Sequence, residues 1–198
     1  MPEKVEALPL ARKRRVLGLL IPAVNLPLFA YNLYFTIQHL GEGLPAFISD
    51  HLVEDAVVLG STLFLTLAIP RFFPVYASSY TLTEDALELR RFLRPVKRIP
   101  LREVDRVELY LRSDEEVSRE ASEYASNQAA NLRRSGFKFR DYTNDEQAIL
   151  NIFHGQEIYM VSPARPKAFL KELKRRNKRL SARVVELTRR GKRVRDLQ

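Results

Sequence analysis

Residues 16–40 read VLGLLIPAVNLPLFAYNLYFTIQHL, twenty-five consecutive positions without Asp, Glu, Lys or Arg. At about 1.5 Å per residue a helix of this length reaches roughly 37 Å, enough to cross a hydrocarbon core of about 30 Å with some tilt. Arg12, Lys13, Arg14 and Arg15 stand directly before it. A basic flank of this kind holds its end of a membrane span on the cytoplasmic side. The apolar run is too long for the core of a cleaved signal peptide. The residues that follow, Gly41-Glu42-Gly43-Leu44-Pro45, read as a turn rather than a cleavage site. The stretch is therefore read as a retained membrane helix over about 16–40.

A second apolar run, AVVLGSTLFLTLAIP at 56–70, continues as Arg71-Phe72-Phe73-Pro74-Val75-Tyr76. Taken to residue 76 it is long enough to span, with Arg71 reaching the interface among aromatic neighbours. The connector at 41–55 carries Glu42, Asp50, Glu54 and Asp55 and no Lys or Arg, and Pro45 within it is placed to open a short interfacial helix. Cations on the outer ends and acids in the connector predict a hairpin in the inner (cytoplasmic) membrane with both termini cytoplasmic. Asn25 and Asn32, seven residues apart, share one helix face and are read as partner-helix contacts, with Ser61, Thr62 and Thr66 as candidate acceptors. A homo-oligomer formed through the hairpin is an alternative use of the same face. Two helices cannot enclose a pore.

The rest of the 198-residue chain has room for one further domain. The absence of Cys removes disulfides, thiolate nucleophiles and Cys-based metal sites. A formal net charge of +9 calls for an anionic neighbour, and beside a membrane span the bilayer itself supplies one. No phosphate-binding loop, dinucleotide glycine pattern, nucleophile elbow or HExxH occurs. His39 and His51 read as interfacial polar residues beside the connector, and His154 as a turn residue. The acid pairs Glu84-Asp85 and Asp114-Glu115-Glu116 sit at a turn and at a helix start, where acids have structural work. The expectation is no catalytic residue, no metal and no cofactor, hence not an enzyme.

From Ser78 onward the pattern is that of a soluble β-domain, taken to span 78–190. Leu87 and Leu89 alternate with charged residues, Val107, Leu109 and Leu111 mark one strand face, and His154-Gly155-Gln156 joins two strands. Residues 113–135 are polar, Ala-rich and free of Gly and Pro, and read as a helical insertion. After Ser162-Pro163 a helix is predicted from about 166 past 187. Leu173, Leu180, Val184 and Leu187 form a seam on it for a partner helix, with a basic tail at 191–198.

Three blocks carry a resemblance: YTLTEDALELR at 80–90, RIPLREVDRV at 98–107 and VSPARPKAFL at 161–170. Together they resemble the bacterial PH-like domain family, over residues 78–175 apart from 113–135. The resemblance implies an α+β membrane protein: a two-helix hairpin (residues 1–77 with the N-terminal arm), then a PH-like seven-stranded β-barrel or sandwich capped by a C-terminal helix. It implies no catalytic residues. The expected function is a membrane-tethered adaptor or accessory subunit with a membrane-associated protein partner. The alternative is a binder of anionic headgroups through Arg90, Arg91, Arg94, Lys97 and Arg98, assisted by Arg12, Arg14, Arg15 and Arg71. Nucleic acid is not the expected partner, since the basic tail lacks interleaved aromatics.

Overall fold

The computed structural model describes residues 3–41, 43–72, 75–112 and 117–197, without the side chains of 69–72. It divides into two compact units, Arg12–Tyr76 and Met1–Ala11 with Ala77–Gln198.

In the first unit α1 (Arg12–Gly41) is followed by α2 (Leu44–Ala46), a π-turn (Phe47–His51) and α3 (Leu52–Phe72). Both helical runs are long and apolar enough to cross a membrane. The predicted connector is mostly helix: Pro45 sits in the first turn of α2, and Asp50, Glu54 and Asp55 complement the positive end of the run that follows. Along α1 the shielded positions include Gly18, Pro22, Asn25, Phe29, Asn32, Thr36 and His39, alternating steps of four and three. That is the spacing of a helix–helix seam. The matching positions after the turn include His51, Asp55, Thr62 and Thr66. Leu19, Leu20, Val24, Leu26, Val57 and Phe64 are exposed instead. Gly18 is fixed by space, because a Cβ there would stand 2.5 Å from the carbonyl oxygen of Val75. The Tyr76 hydroxyl donates to the Gly18 carbonyl at 3.3 Å.

The second unit holds two sheets. One has the order β1 (Glu3–Val5), β2 (Ser78–Leu82), β3 (Ala86–Arg91), β4 (Lys97–Pro100). The other is built from β5 (Val104–Arg112), β6 (Lys138–Tyr142), β7 (Ala148–His154), β8 (Glu157–Val161), β9 (Ser181–Thr188) and β10 (Gly191–Leu197), in the order β10-β9-β5-β7-β8-β6. Its β5–β9 and β6–β8 pairs are parallel. Tyr80, Leu89, Ile99, Leu109, Leu150 and Ile152 are among the side chains filling the main core, with Phe169, Leu170 and Leu173 of α5 (Pro166–Arg176) added to it.

Three expectations are corrected here. The sheets are open rather than a closed barrel: β4 and β6 are edge strands of different sheets, and the gap is crossed by side chains instead of a backbone ladder. The C-terminal helix is short, ending at Arg176, and the segment read as its continuation is the β9–β10 hairpin. Val184, Val185 and Thr188 are β-branched, and Ala182 and Val184 enter the main core while Val185 and Leu187 join a second cluster, a period of two. Leu173, Leu180, Val184 and Leu187 are consequently buried core residues rather than a seam for a partner. The N-terminal arm is also structured, since Glu3–Val5 pairs with β2 and belongs to the β unit.

Candidate functional site

One end of the β unit gathers both chain segments that lead to the helices. Asn144 organises it. Its backbone carbonyl accepts from Ala11 N at 3.0 Å, and its Oδ1 accepts from Ser78 N at 2.7 Å. Its Nδ2 donates to the carbonyls of Leu8 (2.9 Å) and Ser78 (3.1 Å). Ser162 Oγ accepts from Asn144 N at 2.7 Å. The Tyr80 hydroxyl donates to the Tyr142 carbonyl at 2.6 Å and accepts from Ser162 N at 3.1 Å. Burial pushes the Tyr80 hydroxyl above its ordinary pKa. A knot of satisfied polar groups in a low-dielectric site fixes geometry, and this one fixes where residues 11 and 78 emerge.

Ser78 is paired with Arg91, so β3 ends at the same place and its turn to β4 projects from it. Of the predicted headgroup contacts, Arg91 is corrected. It is buried, with Nε donating to Ser78 Oγ (3.1 Å), Nη1 donating to the Asp141 carbonyl (2.8 Å) and its guanidinium 5.5 Å from the Tyr142 ring centroid. Desolvation holds it below the usual arginine pKa. Arg94 shares the Asp141 carbonyl, and Lys97 lies 3.6 Å from Glu157 and over the Tyr159 ring. Arg91, Arg94 and Lys97 thus lace the open β4–β6 corner. Arg90 and Arg98 point to the other face, paired with Glu88 and Asp85. Arg12 and Arg15 are exposed and Arg14 half-buried at the start of α1, and the side chain of Arg71 lies outside the described residues.

Glu157 is the acidic centre of that corner. Its carboxylate takes a short hydrogen bond from the Tyr159 hydroxyl and two contacts from Arg140 (Nε 2.9 Å, Nη2 2.8 Å). The Tyr159 bond first, then the Arg140 and Lys97 charges, hold it down to about 2.

On the outer face of the larger sheet α4 (Arg119–Arg134) is seated by Ala121 and Tyr124 on Val185 and Leu187. Ser118 caps it, its Oγ accepting from Ala121 N. Because the underside of α4 offers small residues, a groove of ≈ 150 Å³ remains between Ala125, Ala129 and Leu132 and the sheet residues Ile149, Asn151 and Met160.

In the helical unit Asn25 and Asn32 lie on the seam, but Asn32 Nδ2 donates to the Leu28 carbonyl of its own helix at 2.7 Å, and Thr62 and Thr66 likewise bond back to their own helix. His39 Nδ1 lies 2.9 Å from Asp55 Oδ2, and the His39 and His51 rings stack at 3.8 Å. Among the described residues no group of three or more His, Asp or Glu gathers as metal ligands would.

The sequence located the basic residues of 90–98 but missed the knot. Asn144, Ser162 and Tyr80 lie far apart along the chain; Asn144 and Ser162 carry only the local signal of loop-forming residue types, and Tyr80 reads as an ordinary strand residue. It also passed over Phe92, Leu93 and Val96, which are exposed in the β3–β4 turn. An apolar trio between two runs of cations was the available sign. Compared with known proteins, the chain matches no family model, no curated protein and no solved structure.

Proposed function

We propose that this chain is a non-enzymatic, membrane-anchored adaptor or accessory subunit of a membrane complex. In this reading α1 and the α2–α3 run cross the inner membrane as a hairpin with both ends cytoplasmic, and the β unit is the interaction module they hold at the surface. The observation that carries it is the polarity of the hairpin: Asn25, Asn32, Thr36 and His39 are half-buried on the seam, while Leu19, Leu20, Val24, Leu26, Val57 and Phe64 are exposed. In water such a surface is an aggregation hazard; in hydrocarbon it is the favourable arrangement. Arg12, Lys13, Arg14 and Arg15 at one end and Asp50, Glu54 and Asp55 at the other support the orientation. The resemblance to the bacterial PH-like domain family belongs to this proposal, supported by a β-rich unit in which α5 follows the β7–β8 hairpin. α4 and the β9–β10 hairpin are additions to that plan.

The partner face is assigned to the groove under α4, a concave and mostly apolar feature of the kind that takes a protruding side chain. The alternative, recognition of anionic headgroups by the β unit, draws on the cations around residues 90–98.

The chain has no Cys, so single-cysteine variants report topology cleanly. In intact cells Ser49→Cys reacts with an impermeant maleimide and Lys192→Cys does not. Labelling of both, or recovery of the protein in the soluble fraction, ends the anchoring reading. For the adaptor role, Ala129→Arg blocks the groove and removes a co-purifying membrane protein while leaving the β unit folded. Unchanged co-purification removes the groove from the proposal.

A further inference from the structure

We infer that the β3–β4 turn docks into the headgroup layer of an anionic bilayer, with Phe92, Leu93 and Val96 inserted among the lipids and Arg94 and Lys97 beside their phosphates. The inference rests on the reading that the hairpin crosses the membrane, and adds a second, reversible attachment at the surface.

Exposure is the first ground. Phe92, Leu93 and Val96 are 60%, 39% and 54% exposed within five residues. Among the described residues of the β unit, the other large apolar side chains that are exposed are Val194 and Leu197 of β10. A convex turn that shows three such groups to water is not built for the core of its own unit.

The backbone is the second ground. Arg94 N donates to the Arg91 carbonyl at 3.1 Å, closing a four-residue turn in which Leu93 stands at φ 60°. Positive φ is a glycine or asparagine position in such turns, and Leu93 is the one non-glycine residue with positive φ among those described. A strained leucine facing solvent is a poor choice for folding alone; strain of this kind collects where a surface is used.

Charge and reach identify the occupant. Residues 89–102 contain Arg90, Arg91, Arg94, Lys97, Arg98 and Arg102 and no acid. Of these, Arg94 and Lys97 flank the exposed apolar groups in the turn, and cations beside an apolar tip match an interface with anionic phosphates outside and acyl chains beneath. The turn also leaves the β unit beside Ser78 and, through Asn144, beside Ala11. Ser78 is six residues after the end of α3, so chain length limits their separation to about 20 Å. A bilayer spanned by that helix is within reach of the turn by connectivity alone.

The chain contains no Trp, which makes a single introduced one a clean reporter. The full chain carrying Phe92→Trp is reconstituted into nanodiscs of phosphatidylcholine, with or without phosphatidylglycerol, containing acyl-brominated lipid. Leu20→Trp reports the span, and Ser126→Trp on the exposed side of α4 reports water. The expected result is blue-shifted emission from Phe92→Trp with bromolipid quenching several-fold stronger in the anionic discs, reversed by high salt and by Arg94→Glu. Leu20→Trp is quenched in all discs and Ser126→Trp in none. Water-like emission from Phe92→Trp in anionic discs, with Leu20→Trp quenched, overturns the docking but leaves the span intact. Shielding of Phe92→Trp from aqueous quencher without bromolipid quenching also overturns it, and assigns the tip to a protein surface. Loss of quenching at Leu20→Trp removes the spanning reading and the docking with it.

Discussion

Along α1, Asn25, Asn32, Thr36 and His39 are shielded while Leu19, Leu20, Val24 and Leu26 stand exposed. Along β5 the arrangement is reversed: Val107 and Leu109 are fully buried, and Asp105 and Arg112 face outward. The helical unit thus shields a mixed seam of small, aromatic and polar groups and exposes many of its aliphatic ones, whereas the β unit buries its aliphatic ones. A β-sheet unit in water is held by removing apolar area from solvent, at roughly 25 cal/mol per Å². A helix pair with its apolar groups outside gains nothing by that route in water, and its small and polar seam matches what drives helix association in lipid. Under the anchoring reading proposed above, the hairpin and the β unit face different solvents, and the chain passes from one unit to the other between Ala11 and Arg12 and again between Tyr76 and Ala77.

The largest test of this contrast is in the β core. Ile152→Ala, which empties a fully buried site, is expected to cost about 3–4 kcal/mol, read as lost hydrogen-exchange protection of β5 and β7. Leu26→Ala, at an exposed helix position, leaves those amides untouched. Next, Leu26→Lys places a charge midway along α1 and is expected to cost about 3 kcal/mol of membrane insertion, measured as the fraction resisting alkaline extraction. If the helices were water-facing, the same change would be neutral or favourable.

Smaller effects separate polar order from apolar burial inside the β unit. Tyr80→Phe leaves Ser162 N without its acceptor and is expected to cost about 2 kcal/mol by denaturant midpoint. It also loosens protection near Ala11 and Ser78, where the chain leaves the sheet. Glu157, held at about 2 against a usual 4.5, contributes stability that is present above pH 4.5 and is lost as pH falls toward 2. Glu157→Gln is expected to flatten the stability profile over that window and to cost about 1–2 kcal/mol at neutral pH. Last, Leu93→Gly relieves a positive-φ leucine and is expected to stabilise the β unit by about 1 kcal/mol. It does so while weakening bilayer docking, so the two readouts move in opposite directions.

Much of the organisation was legible from pattern. The 16–40 run reports a long apolar helix through its composition, and the alternation at Leu87 and Leu89 reports a strand through its local period, which short windows preserve. The failures share one cause. Leu173, Leu180, Val184 and Leu187 fit a helical spacing, but Leu180 lies between elements and the last two sit on a strand, where Val-Val-Glu-Leu-Thr prefers the pleat. Leucine and valine at three- and four-residue steps satisfy either period, and the choice fell to tertiary contact: β9 pairs in parallel with β5 along its length. The polar knot was illegible for a different reason. Asn144, Ser162 and Tyr80 meet only through long-range folding, with Ser162 standing 82 residues after Tyr80, and no spacing along the chain encodes that meeting.

By itself the sequence determined that two apolar helical runs precede a β-rich unit, because composition and period are local properties that each segment carries unaided. Only the tertiary structure decided that the sheets stay open, that the C-terminal segment is a hairpin and that the basic turn emerges beside both chain exits. Those outcomes depend on long-range pairing, in which the free energy of a residue is set by partners far away in the chain.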